Sequence, residues 1–179
     1  MSPEDKVLVI DASVLSPFAR AERLEDLERI TRGYDRVTVN EVLAELRMGS
    51  LTYPALLAPQ CASWLSTVPT DTLPVLNKFA KYRRRFGPGP RDVGEAAVLA
   101  WAELNGAQAL IDDQTAHDIG VSRGIIVRRS LGLLATRLQA SEFTEREAED
   151  LVDALRAADA RLPWDGTAFL AWCRKSGFI

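Results

Sequence analysis

The chain has 179 residues, a net charge of −3, 47% apolar and 26% charged residues. That mixture is the one expected of a soluble globular protein, and the length favours one domain that buries a core without disulfides or a structural metal. No apolar run approaches the length needed to span a bilayer, and "MSPEDK" lacks the basic-then-apolar order of a secretory leader, so a cytoplasmic protein is expected.

The first element is a strand at Val7–Ile10, in "KVLVIDASVL". A short β-branched run with no polar alternation suits a strand buried on both faces of a parallel sheet. A helix is expected over about Pro17–Thr31, from Leu24, Leu27 and Ile30 at helical spacing, then a short strand at Arg36–Val39. Asn40 is a plausible N-cap for "EVLAELRM", which stops at Gly49. Two helices, Pro54–Ser66 and Leu73–Lys81, are expected across the breakers Pro69 and Pro74. An alanine-rich helix follows at Val93–Asn105. "GAQALIDD" gives a strand, "QTAHDIGVSRG" a short helix, "IIVRR" a strand, and "SLGLLATRLQA" a helix opened by Ser130. "TEREAEDLVDALRAADA" is amphipathic and opens with a capping-box pattern, Thr144 to Glu147. A last helix, about Gly166–Lys175, carries Trp172, with Trp164 just ahead of it. Strands alternating with helices predict an α/β fold, a mostly parallel sheet of about four or five strands between helical layers. We read one domain, 1–179, with a core over about 6–139 and helices at 140–179 as an extension.

Four acids fall at element ends on the edge where parallel strands finish and helices begin: Asp11, Glu45, Glu95 and Asp113. Glu41 lies one turn before Glu45, and Asp112 precedes Asp113. Each alone has an ordinary reading. Asp11 and Asp113 suit turns or caps, Asp92 and Glu95 fit a capping box, and Glu41 and Glu45 fit a solvated helix face. Together they carry another meaning, because gathered carboxylates repel and burying an unpaired charge is costly. A cation between them resolves that cost. Only one histidine, His117, is present, and Cys61 and Cys173 have no ligand spacing. Any metal is therefore a hard ion on oxygen ligands, Mg²⁺ or Mn²⁺. His117 itself is expected on the surface or in packing.

A basic stripe, "KFAKYRRRFGPGPR", holds Lys78, Lys81, Arg83, Arg84, Arg85 and Arg91 with no acid, interleaved with Tyr82 and Phe86. It suits a nucleic-acid backbone, with the rings free to stack on bases, as well as it suits a solvated helix end.

In order and placement these stretches resemble the PIN-domain family of metal-dependent ribonucleases, which includes the VapC-type toxins. "VLVIDASVL" resembles its first motif, with Asp11 and Ser13. "VTVNEVLAELRMG" resembles the second, with Glu45 ahead of Glu41. "GEAAVLAWA" resembles the third, with Glu95 in a Gly-Glu form, and "ALIDDQTAHDIGVSRGIIVRRSLGLL" the fourth, with Asp113 ahead of Asp112. The resemblance covers about residues 6–139 and implies a three-layer PIN fold. It implies Asp11, Glu45, Glu95 and Asp113 as ligands of one or two Mg²⁺ or Mn²⁺ ions, with Ser13, Glu41 and Asp112 in reserve. It also implies an RNA substrate, whose backbone the basic stripe would hold through Lys81, Arg83, Arg84, Arg85 and Arg91, and for a toxin, a cognate antitoxin. A DNA nuclease and a non-catalytic partner-binding module are the competing readings. The C-terminal helices would contact a partner, a second copy or, by preference, the body of this chain.

Overall fold

The structure, a computed structural model, describes residues 6–87 and 92–179. Its centre is a five-stranded sheet in the order β3-β2-β1-β4-β5, formed by β1 (Val7–Ile10), β2 (Asp35–Val39), β3 (Ser66–Val68), β4 (Gln108–Leu110) and β5 (Val127–Arg128). Every pairing is parallel. The chain winds outward from β1 through β2 to β3, then returns to add β4 on the other side of β1. The crevice between β1 and β4, at their carboxyl ends, is therefore the point where connections diverge, the usual ligand site of open parallel sheets.

Helices cover both faces: α1 (Ala12–Arg20), α2 (Leu24–Ile30), α3 (Asn40–Gly49), α4 (Leu73–Phe86), α5 (Val93–Asn105), α6 (Gln114–Ser122), α7 (Ser130–Gln139), α8 (Glu145–Ala157) and α9 (Gly166–Lys175). The fold is a three-layer α/β/α sandwich. Leu8, Val9 and Ile10 have no exposed surface, as expected of a central strand covered twice. Alanines fill α5, where Ala96, Ala97 and Ala100 are buried, and their small side chains let that helix lie close against its neighbours.

Several local expectations change. The single helix over Pro17–Thr31 is two: α1 starts directly after Asp11, whose carboxylate caps it, and Glu22 breaks the chain at φ 57° before α2 begins. The helix expected at Pro54–Ser66 is a 3₁₀ segment, Pro54–Cys61, and its end becomes β3, an edge strand too short to show a period. Asn40 is the first helical residue of α3 rather than its cap, and Val39 holds the cap position. Likewise Ser130 opens α7 from inside, with Arg129 at the cap.

The C-terminal helices pack on the body of the chain. α8 carries the full Thr144–Glu147 capping box and buries Leu151, Val152 and Leu155. Trp164 stacks on Trp172 with ring centroids 4.9 Å apart, and Phe169 is completely buried. Among the described residues no helix is long and apolar enough to cross a membrane.

Candidate metal centre

Asp11 leaves β1 with its backbone N–H donating to Leu110 O of β4 at 3.1 Å, so it sits in the crevice between the two strands. Its Oδ2 accepts the Ser13 N–H at 2.9 Å, which caps α1. The other oxygen, Oδ1, is buried with no hydrogen-bond partner among the described residues. The ordinary capping role therefore uses half of this carboxylate. The remaining half is the kind of orphaned charge that folded proteins avoid.

Other acids surround it. Glu45 comes from α3, where it lines the cleft, Glu95 from the first turn of α5, and Asp113 from the cap of α6. A Cβ placed on Gly94 would lie 3.0 Å from Glu45 Oε2 and 3.8 Å from Asp11 Oδ1, so the bare glycine lets the start of α5 approach both carboxylates closely. Glu95 Oε2 is also buried and unpartnered. Burial is the main force raising the Asp11 carboxyl, opposed by hydrogen bonds from Ser13 and assisted by the Asp113 charge. Burial and then the Asp11 charge raise Glu45. The same two causes push Glu95 up to about 8.

Asp113 shares its carboxylate as Asp11 does, capping α6 by accepting the Ala116 N–H at 2.9 Å. Asp112 is different. It is half-buried, and Ser130 satisfies both oxygens, the amide at 2.8 Å and the hydroxyl at 2.5 Å, which ties the end of β4 to α7. Ser13 of α1 accepts the Asp112 N–H at 3.1 Å, joining that helix to the end of β4. Glu41 is held by Thr70, whose hydroxyl donates at 2.7 Å, while its Oε2 is a third buried, unpartnered oxygen. Asp92 is the residue that pattern reading missed. It was expected to form a capping box with Glu95, but it is left-handed (φ 65°) and makes no side-chain cap bond. Its charge instead adds to those raising Glu45 and Glu95. A run Asp-Val-Gly-Glu carries no sign of that backbone.

These groups open onto a cleft of about 920 Å³, lined among the described residues by seven acids and two arginines, Arg20 and Arg161. Among those residues no three His, Cys, Asp or Glu side chains are drawn together tightly enough to form a metal group as they stand. In kind the donors fit a hard divalent cation: all are oxygens, and three of them, on Asp11, Glu41 and Glu95, are buried without a partner. Glu45, Glu95 and Asp113 line the cleft, and Ala12, Ser13 and Gly94 line it beside the enclosed Asp11.

The basic stripe lies elsewhere. Lys81, Arg84 and Arg85 line a separate pocket of about 360 Å³ with Tyr82, Glu103 and Arg123. Glu103 accepts from Lys78 at 2.7 Å, from the Tyr82 hydroxyl at 2.8 Å and from Arg123 at 2.7 Å. Tyr82 is only 2% exposed and spends its hydroxyl on Glu103, so it cannot stack on a base. Phe86 is half-buried against the core. Arg83 is half-buried on the same helix, and Arg91 lies outside the described residues. His117 faces Asp118 at 3.1 Å and does not line the cleft.

The sheet reverses its winding at β1, and carboxylates line the cleft at that crevice. The PIN-domain family model matches residues 7–167, nearly the whole chain, and the protein belongs to that family. PIN domains are, as a family, metal-dependent nucleases. The match continues past 139, through α8 and the loop after it. Neither the curated proteins nor the solved structures gave a match.

Proposed function

We propose that the protein is an endoribonuclease that hydrolyses RNA phosphodiester bonds with Mg²⁺ or Mn²⁺ held by Asp11, Glu45, Glu95 and Asp113. The observation that carries this reading is the wholly buried Asp11, whose Oδ1 has no partner among the described residues and lies, like Glu45 Oε2, beside Gly94. A protein retains such an arrangement at a cost, and a cation offsets it.

When bound, a divalent ion activates water at neutral pH and neutralises charge on the scissile phosphate. The chain's residues supply the rest. Asp11 is fixed by its cap to Ser13, so its free oxygen has a set direction. Asp113 is fixed likewise by the Ala116 amide of α6. Glu45 and Glu95 come from two helices held at close range by Gly94. Glu41, braced by Thr70, and Asp92 add negative charge at the rim, suited to a second ion or to ordering its water. Asp112 serves the fold through Ser130 and is not assigned a ligand role.

Lys81, Arg84 and Arg85 form the surface proposed to hold the RNA backbone, with Arg83 and Arg91 in the same stretch. RNA rather than DNA is proposed from the resemblance to the VapC-type branch, as is a role as the toxin of a toxin–antitoxin pair. An antitoxin would then cover an acidic cleft that a basic side chain complements. The test is cleavage of an RNA pool and of matched single- and double-stranded DNA with Mn²⁺, with and without chelator. Chelator-sensitive cutting of RNA alone supports the reading. Cutting of structured DNA alone replaces it with a DNA nuclease, and no cutting by folded, metal-loaded protein replaces it with a partner-binding module.

A further inference from the structure

The loop between α8 and α9 belongs to the acidic cleft. Residues 159–162 line it on the side of α1, far in sequence from every acid described above except Asp159 itself. The loop's shape is set locally. The Asp159 N–H donates to Arg156 O and the Ala160 N–H to Leu155 O, each at 3.0 Å, the pair of bonds that ends a helix in a left-handed residue. Asp159 takes that position at φ 60°, where glycine is usual. An aspartate there has a use: its carboxylate pairs with Arg20 of α1 at 2.6 Å, which fastens the loop to the cleft wall. On either side of Arg161, Ala160 and Leu162 pack against the core.

That anchoring leaves Arg161 exposed on the cleft. The other lining cation, Arg20, is already neutralised by Asp159 and stacked on the Tyr53 ring at 3.9 Å. Arg161 makes no ion pair among the described residues, despite seven acids in the same lining. A polyanion entering such a cleft is repelled everywhere except at a bound cation and at this guanidinium.

We infer that Arg161 holds a phosphate of the single-stranded polynucleotide next to the scissile one, making the α8–α9 loop one wall of the substrate channel. This rests on the nuclease reading of the cleft. The guanidinium fork matches phosphate oxygens, and the contact is the same before and during cleavage, so it acts on binding more than on the chemical step.

The test compares Arg161→Ala and Arg161→Lys with the parent chain on a short fluorescent single-stranded RNA of mixed sequence. Cleavage is followed with Mn²⁺ in the otherwise natural chain. Affinity against salt is followed on an Asp11→Asn background, so that the strand is bound but not cut. The alanine variant is expected to raise KM about fivefold, the order of one screened charge contact, with kcat unchanged. Its salt slope should fall by about 0.7, one phosphate on a single strand. Lysine should restore most of the slope and part of KM. If the parent chain cuts RNA while KM and slope are the same in the alanine variant, the inference is overturned and the nuclease reading stands. If the parent neither binds nor cuts, both fall.

Discussion

Glu95 and Glu103 stand on the same helix, eight residues apart, about 12 Å along its axis. They meet opposite environments. Burial tends to raise both carboxyls, but at Glu103 hydrogen bonds from Lys78, Tyr82 and Arg123 outweigh it and pull the group down to about 2. At Glu95 the neighbours are Asp11, Glu45 and Asp92, which add to burial and push it up to about 8. One acid has its donors within the chain, and the other keeps an oxygen with no partner among the described residues. The same contrast separates the two aspartates at the crevice, one half-buried and one fully buried: Ser130 satisfies Asp112, while Asp11 keeps an oxygen with no partner among the described residues. Acid count alone does not mark a site. The absence of internal donors around an acid does.

The largest expected effect falls on the incomplete side. Asp11→Asn should lower cleavage by about a hundredfold or more, because even partners one step removed from a metal ligand cost tenfold to a hundredfold. The same variant should melt higher than the parent in metal-free buffer, since a buried unpaired charge is gone. A lower melting point there would break the comparison. Gly94→Ala comes next: the new methyl crowds Glu45, so cleavage should drop about tenfold. Its stability should change by less than about 1 kcal/mol, as alanine's better helix propensity offsets the crowding. Denaturant midpoints beside initial rates check both halves.

Glu103→Gln should invert that pattern. It strips a charged acceptor from three donors and should cost about 1–3 kcal/mol of stability, while Mn²⁺ affinity at the cleft stays unchanged by calorimetry. The two glutamates also predict different pH responses. A raised folded-state carboxyl means that the folded chain holds its proton more tightly than the unfolded one. Metal-free protein should therefore gain stability from Glu95 as pH falls from about 8 toward the ordinary value of 4.5, and lose it as pH rises. Glu103 works the other way: its contribution is complete above 4.5 and is lost as pH falls toward about 2. Saturating Mn²⁺ should flatten the first arm and leave the second untouched, as melting curves across pH would show. The smallest effect is His117→Ala, which removes a surface contact to Asp118 and should change stability by no more than about 0.5 kcal/mol.

Much of the frame was legible because local chemistry sets it. The alanine-rich helix and the last helix have the expected limits, and the Thr144–Glu147 box forms as its spacing implies. The gathering of Asp11, Glu45, Glu95 and Asp113 at one edge follows from parallel topology, which alternating strands and helices announce. What escaped depends on partners distant in sequence. β3 is a three-residue strand stabilised only by its neighbour β2. Asp92 faces the cleft through a left-handed backbone that any cap-like sequence conceals. Tyr82 seemed free to stack until Glu103, on the next helix, claimed its hydroxyl. The α8–α9 loop reaches the cleft through an ion pair spanning 139 residues, Arg20 to Asp159, which no local pattern encodes.

The central claim is that the orphan oxygens at the crevice await a divalent cation. Titrating Mn²⁺ by calorimetry into chelator-stripped wild type and Asp11→Asn tests it most directly. Saturable binding in the wild type, lost or greatly weakened in the variant while Glu103→Gln retains it, is the predicted result. A well-folded wild type that takes up no ion, or a variant that binds as well as its parent, would contradict the account.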